Sequence, residues 1–194
     1  MSLSPNGANA SPNSNCQTPG ALVEAARELL GGKIDLDPAS CASANERVRA
    51  QEYCGPNHEL PGERDGLTGT WGRGSRVFLN PPGSAFAPFW RKLLEEYAAS
   101  RVSAAVFVCF SIDALQTTQN HNEGGVLAFP CFIPNKRIAY LSPVDGSVMG
   151  SPPKPSAIVW LPELDINTPP IEHLRLRLTD TMLRHGYGGI SVGG

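Results

Sequence analysis

Apolar residues recur along this chain in two rhythms, one helical and one strand-like, with turn residues between them. Ala21 to Leu30 are good helix formers; Thr18 is suited to N-cap, Pro19 to the first helical position, and Gly31-Gly32 ends the run. A helix over about 19–30 is therefore predicted. Lys33 to Leu36 is a short β-like run entering Asp35-Leu36-Asp37-Pro38, and Pro38 forbids its simple continuation as a central strand, so this strand ends at an acidic turn. Ala42 to Glu52 is helix-compatible. Cys54 to Ser75 carries six glycines and two prolines and reads as a long loop of the functional or mobile kind. Arg76 to Leu79 is a strand stopped by Asn80-Pro81-Pro82-Gly83. Phe86, Phe89, Trp90, Leu93, Leu94 and Tyr97 then recur at three- and four-residue spacing, which predicts an amphipathic helix over Phe86 to Ala99. Ala104 to Phe110 is apolar without alternation, the pattern of a strand covered on both faces.

Beyond it the pattern predicts a short helix over Ile112 to Gln119, strands at Val126 to Phe129 and Arg137 to Leu141, and a clear strand at Ala157 to Leu161 after the Pro-rich Ser151 to Pro155. A last helix is expected between Thr168, its cap, and Gly186. Alternating helices and strands, with a crossover helix between two parallel strands, indicate an α/β fold with a mostly parallel sheet flanked by helices. Residues 1–16, rich in Ser, Asn and Pro, read as a disordered leader without the basic and apolar regions of a secretory signal. Residues 17–165 form the main domain, and 166–194 a C-terminal helix and tail.

Composition narrows the functions. Lys and Arg number 16 against 18 Asp and Glu, a net charge of −2, which argues against a polybasic protein bound to nucleic acid chiefly by phosphate neutralisation. The chain has 20 glycines and 18 prolines and only 18% charged residues, so it should be loop-rich but globular. No apolar run approaches the roughly 18 residues of a membrane span. Cys16, Cys41, Cys54, Cys109 and Cys131 are odd in number and form no close pair, as reduced thiols of a cytoplasmic protein do. Cys41, Cys54 and His58 lack a fourth zinc ligand at a usual spacing, and no metal is expected.

The chemistry concentrates at Val77-Phe78-Leu79-Asn80-Pro81-Pro82. In an open parallel sheet ligands bind at the carboxyl ends of the strands, where Asn80 sits before a crossover helix. Its side-chain oxygen and the Pro81 carbonyl, stiffened by two prolines, are two acceptors matched to the two hydrogens of an amino group. Hydrogen bonds to both N–H groups favour the pyramidal geometry that frees a conjugated lone pair, after which methyl transfer needs mainly positioning and electrostatics. Taken alone, Asn-Pro-Pro is equally a turn that stops a strand.

Together with other fragments, it resembles the phage-type DNA N6-adenine methyltransferases, which use S-adenosylmethionine on a Rossmann-like sheet. The fragments are Thr18-Pro19, Ile34-Asp35-Leu36-Asp37-Pro38-Ala39-Ser40, Asn45, Asp65-Gly66-Leu67, Trp71 and Val77 to Pro82, then more faintly Arg137 to Tyr140 and Ser156 to Trp160. The resemblance spans roughly residues 17–161, in the family's order. It implies catalytic roles for Asn80, Pro81 and Pro82. It implies cofactor contacts from Thr18, Pro19, Asp37 or Asp35, Ala39, Ser40 and Asp65, with Asn45 steadying the acidic turn or touching the cofactor. The sheet would be a reduced Rossmann-like one, since only about 40 residues separate Asp37 from Asn80. One departure stands out: many relatives place a base-stacking aromatic after Asn-Pro-Pro, where this chain has Gly83, so Phe86 or Phe110 would have to supply the ring. The implied partner is DNA, as a single strand or a duplex with a flipped base, held by a monomer or homodimer. Arg137 with Lys136, Lys154, Arg175, Arg177 and Arg184 are candidate strand contacts, and His121 reads as a surface residue. Alternatives are another amine, cytosine N4 or a protein glutamine amide, and a catalytically inactive relative that binds cofactor or DNA.

Overall fold

The computed structural model describes residues 17–55, 65–109, 111–112, 125–142, 144–150 and 154–194. The expected leader over 1–16, Phe110, nearly all of the helix expected over 112–119, His58 and His121 lie outside the described residues.

Helix α1 (Gly20–Leu29) buries Leu22, Val23, Ala25, Ala26 and Leu29 and stops where expected. Gly31 takes φ +74°; Gly31 N–H bonds to Glu28 O and Gly32 N–H to Arg27 O, closing the turn. Strand β1 (Leu36–Asp37) follows. Helix α2 (Ala42–Val48) is shorter than the expected span to Glu52. The Asn45 amide grips Ala50 from both sides, accepting from its N–H at 2.9 Å and donating to its carbonyl at 3.2 Å, while Arg49 adopts φ +52°. The chain is thereby turned out of the helix, and Glu52–Tyr53 becomes strand β2.

Strand β3 (Ser75–Leu79) leads through a 3-10 turn at Gly83–Ala85 into α3 (Phe86–Ala98) and then β4 (Val102–Cys109). In the second half two expected strands are missing and an unforeseen one appears. Val126–Ala128 is a 3-10 turn, residues 137–141 form no strand beyond isolated bridges from Leu141 to Gln17 and to Val148, and strand β5 lies between them at Cys131–Pro134. Pro130 and Pro134 bracket β5 and hide its apolar core from a pattern search. Strand β6 (Ala157–Leu161), helix α4 (Ile171–Arg184) and strand β7 (Gly189–Val192) complete the fold. Thr168 does not cap α4; its hydroxyl closes a turn on Asp165, and Pro170 takes the cap position. Gly186, at φ +86°, ends α4 as expected.

The seven strands form one mixed sheet in the order β2-β1-β3-β4-β6-β5-β7. Pairings among β2, β1, β3 and β4 are parallel, whereas those among β4, β6, β5 and β7 are antiparallel. The sheet is thus not mostly parallel as expected: β6 runs against β4, and β7 adds a further antiparallel edge. Alternate residues of β3 and β4 face opposite layers. Phe78, Val106 and Val108 pack with α1 and α4, whereas Val77, Leu79 and Phe107 pack with α3 and Trp71. Residues 166–194 contribute α4 to one layer and β7 to the sheet edge.

The arrangement of connections positions the site. From β1 the chain leaves through α2, whose Val48 joins the α1 layer, to β2 on one side. It then returns to β3 on the other side of β1 and leaves through α3 in the opposite layer. Connections that diverge from adjacent parallel strands to opposite faces open a crevice at the carboxyl ends, here of β1 and β3. Among the described residues no helix is long and apolar enough to cross a membrane.

Candidate functional site

Asp37 ends β1 and Asn80 follows β3, so sheet register brings both to that crevice. Thr18, just before α1, joins them. The Asn80 side-chain amide donates from Nδ2 to Thr18 Oγ1 at 2.8 Å, so the threonine expected to cap a helix instead orients the asparagine. With Nδ2 engaged, Asn80 Oδ1 is left as the free acceptor; among the described residues it has no partner. The Asn80-Pro81 and Pro81-Pro82 peptides are trans, and Pro82 O accepts from Ala85 N–H at 2.9 Å, which anchors the turn to the start of α3. Pro81 is buried, and its carbonyl enters no backbone hydrogen bond among the described residues.

The acidic turn is built by close backbone approach. A Cβ at Gly66 would stand 2.0 Å from Pro38 O, and one at Gly55 would stand 1.9 Å from Ser40 O. Only glycine lets the two flanking segments press on residues 37–40 in this way. Trp71 locks one of them, its indole Nε1 donating to Gly66 O at 2.6 Å. As a result Asp37 is 3% exposed. Its Oδ1 accepts from Ala39 N–H at 3.2 Å, and the Ser40 hydroxyl lies near but short of hydrogen-bonding geometry. Burial pushes the Asp37 carboxyl up to about 7, against the opposing pull of Ala39 and Ser40. A carboxyl so placed is poised to receive an ammonium or hydroxyl donor.

The remaining expected residues separate into groups. Ala39 and Ser40 border a small cavity with Thr18, Asp37 and Asn80. Asp35 is elsewhere: its Oδ2 accepts from Arg76 N–H at 2.9 Å and its Oδ1 pairs with Lys33 at 2.7 Å, so it straps β1 to β3. Asn45 holds the end of α2 rather than the acidic turn. Asp65 is exposed in an Asx turn, accepting from Leu67 N–H at 2.9 Å; it borders an open groove of about 650 Å3 that shares no lining residue with the Asp37 cavity. Phe86 is 4% exposed and packs on Phe107 with ring centroids 5.1 Å apart, which makes it a core residue rather than a stacking platform; Gly83 is exposed.

Of the basic candidates, Lys136, Arg137 and Lys154 are exposed, and between them 140–142 pairs with 147–149 while Leu141 also pairs with Gln17, next to Thr18. Arg177 instead lies 5.1 Å over the Trp160 ring, Arg184 pairs with Glu28 and Asp180, and Arg175 pairs with Glu172. These three serve the α4 surface. Burial pushes the Cys109 and Cys131 thiols up to about 12, so neither is a thiolate at neutral pH. Among the described residues no cluster of His, Cys, Asp and Glu is gathered to hold a metal ion.

Sequence reasoning misses Gln17 and Arg47. Arg47 Nη1 donates to Gln17 Oε1 at 2.8 Å, and both border the Asp37 cavity. A signal exists: Ala44, Arg47 and Val48 share one face of α2 by three- and four-residue spacing, and all three line that cavity. No protein-family model matches the chain, and no curated protein matches it.

Proposed function

We propose that the protein is an S-adenosylmethionine-dependent methyltransferase acting on an exocyclic amine, with adenine N6 of DNA as the first candidate, and that its sheet is Rossmann-like in the parallel half. The observation carrying this reading is the Thr18-oriented Asn80 amide, with Oδ1 free, beside the buried Asp37 carboxyl at the crevice between β1 and β3. Open α/β sheets bind ligands at that place.

The residues present fit part of such a cofactor. Asp37 is a buried acceptor without a cation among the described residues, as an amino group requires, and Thr18, Ala39 and Ser40 line the same small cavity. When bound, S-adenosylmethionine would supply a methyl group on a sulfonium, which leaves as a neutral thioether. Asn80 Oδ1 and the Pro81 carbonyl would accept the two N–H groups of the substrate amine, and the stiff Pro81-Pro82 turn would hold them in register. The nitrogen lone pair thus localised would be presented to the methyl donor, and the proton the amine sheds would pass to water. Lys136, Arg137 and Lys154 would flank the nucleic-acid strand, a local contact compatible with a net charge of −2.

Asn80→Ala is expected to abolish methylation, read by nucleoside mass spectrometry of DNA from cells expressing each form, while cofactor affinity stays within a few-fold. Wild-type methylation by the variant would end this assignment. The core placement of Phe86 favours a second reading, in which the amine is not carried by a stacked base and a protein glutamine amide takes its place. Incubation with labelled cofactor and separate DNA, RNA and protein substrates separates the two, and binding without turnover on any of them indicates an inactive relative.

A further inference from the structure

The two edges of the sheet differ. Strand β2, at one edge, has two residues, one of them Glu52; a short, charged strand blunts edge pairing. Strand β7, at the other edge, runs Gly189-Ile190-Ser191-Val192, with neither a charge nor a proline. Its register on β5 fixes which of its groups are open. Asn135 N–H donates to Gly188 O at 2.8 Å, so Gly188 and, at two-residue steps, Ile190 and Val192 turn their N–H and C=O toward β5. Those of Gly189 and Ser191 face outward, where no strand meets them among the described residues.

Apolar side chains flank this edge on both faces of the sheet. On one face α4 overhangs β7: Thr179 Oγ1 donates to Ser191 Oγ at 2.7 Å and Arg175 Nη1 to Gly193 O at 3.4 Å. Leu176 and Leu183, one turn to either side of Thr179, share that shoulder and are 66% and 53% exposed. The opposite shoulder is occupied, with Arg177 over Trp160 and Arg184 on Glu28. On the other face of the sheet Val192 packs with the α3 layer, and Ile190, which points the same way, is 64% exposed. Together Leu176, Leu183 and Ile190 present roughly 350 Å2 of apolar surface, the size of a patch that carries function on a monomer. The charges beside it are already paired within α4, Arg175 with Glu172 and Asp180 with Arg184, so a second copy approaching this edge brings no unpaired like charge against them.

We propose that the β7 edge is the two-fold interface of a homodimer. A strand can pair antiparallel with its own copy about an axis through one residue. An axis at Ile190 joins Gly189 of each copy to Ser191 of the other, and every open N–H and C=O of β7 is then bonded. Ile190 stands opposite Ile190 of the other copy in a non-hydrogen-bonded pair, with Cα atoms about 4.5 Å apart, while on the opposite face the two α4 shoulders meet through Leu183 and Leu176. The apolar patches of two copies supply roughly 700 Å2, which the paired edges and their neighbouring side chains raise to about the 1,000 Å2 of a small specific interface. A dimer of micromolar affinity fits that size. The interface is independent of the methyl-transfer reading, since Asp37 and Asn80 lie at the ends of β1 and β3, in the other half of the sheet.

Sedimentation of the full chain over a concentration series tests the interface. The wild type should pass from monomer to dimer by about 100 μM. Ile190→Lys, on one face of the edge, and Leu183→Glu, on the other, should each weaken dimerisation by about tenfold or more, and because both side chains are exposed, an unchanged circular dichroism spectrum certifies the fold. Val144→Lys, at an exposed apolar position outside this patch, should leave the equilibrium within about twofold of the wild type. The register has its own test: under mild oxidant Ile190→Cys should form a disulfide-linked dimer, because residue 190 meets itself across the axis, whereas Val192→Cys, displaced from the axis, should cross-link no more than the wild type. A wild type that stays monomeric throughout the series overturns the proposal, as does a dimer that neither Ile190→Lys nor Leu183→Glu weakens. Cross-linking through Val192→Cys but not Ile190→Cys overturns the axis at Ile190.

Discussion

Replacing Asp37 by Asn gives a test in which stability and ligand binding move in opposite directions. Asp37 is buried, its carboxyl is raised from 3.8 to about 7, and among the described residues its one hydrogen bond is from Ala39 N–H. A carboxyl whose folded value lies above its unfolded one favours folding while protonated, so its contribution is complete below about 4 and is lost as pH rises through about 7. A tenfold change in proton affinity is worth about 1.4 kcal/mol, so keeping Asp37 ionised in the free protein costs up to about 4 kcal/mol at pH 8, and far less at pH 5. Asn keeps an oxygen for Ala39 N–H and never ionises. Asp37→Asn should therefore stabilise the ligand-free protein at pH 8 by about 2–4 kcal/mol relative to its effect at pH 5, read from urea denaturation at both values. The same variant should lose affinity for S-adenosylhomocysteine, because its amide cannot neutralise an ammonium. A stability difference that stays constant between the two pH values would refute the argument, since it would mean that Asp37 ionises as freely folded as unfolded.

Two further perturbations probe the framework around the site. Glu96 is 0% exposed and is met by Lys92 at 2.7 Å, Arg101 at 2.6 Å and Trp71 N–H at 3.3 Å. Although burial opposes ionisation, the hydrogen bonds from Arg101, Lys92 and Trp71 prevail and bring its carboxyl down to about 2. Glu96→Ala leaves two cations without their buried partner and should cost about 3–5 kcal/mol in chemical denaturation; a loss below about 1 kcal/mol would show the cluster to be ornamental. In the wild type, stability owed to Glu96 is present above about pH 4.5 and should drain away as pH falls toward 2. Gly66→Ala forces a methyl against Pro38 O, 2.0 Å from the ideal Cβ, and should displace the acidic turn. Its expected signature is a destabilisation above about 2 kcal/mol together with weaker ligand binding, whereas a wild-type melting curve would show that the turn has room to move.

How legible each part is depends on how local its cause is. The Asn80-Pro81-Pro82 stop and the glycine ends of α1 and α4 are plain in the sequence because each is decided within a few residues, by a missing N–H, a fixed φ or a left-handed turn. The end of α2 is hidden because Asn45 reaches five residues on to Ala50, a side-chain competition that helix-forming composition over Ala42 to Glu52 conceals. Strand β5 escapes a pattern search for a different reason: three residues between prolines carry no periodicity, and their ladder comes from β6 and β7. Phe86 shows the same limit at the site. Helical spacing marks it as apolar-facing, but only the packed distance to Phe107 assigns it to the core.

By itself, then, the sequence determined an α/β chain whose strand ends carry an acidic turn and an asparagine stiffened by two prolines, because those features are short-range and covalently neighboured. Only the tertiary structure decided that Thr18, 62 residues from Asn80, orients its amide, that Asp37 rather than Asp35 faces the crevice, and that Arg47 shares a cavity with that buried carboxyl. It also decided that the sheet is half antiparallel. Such facts depend on which segments come to lie side by side, and that is settled by the burial of whole faces and by close approaches such as Gly66 to Pro38, neither of which is written in any one stretch of residues.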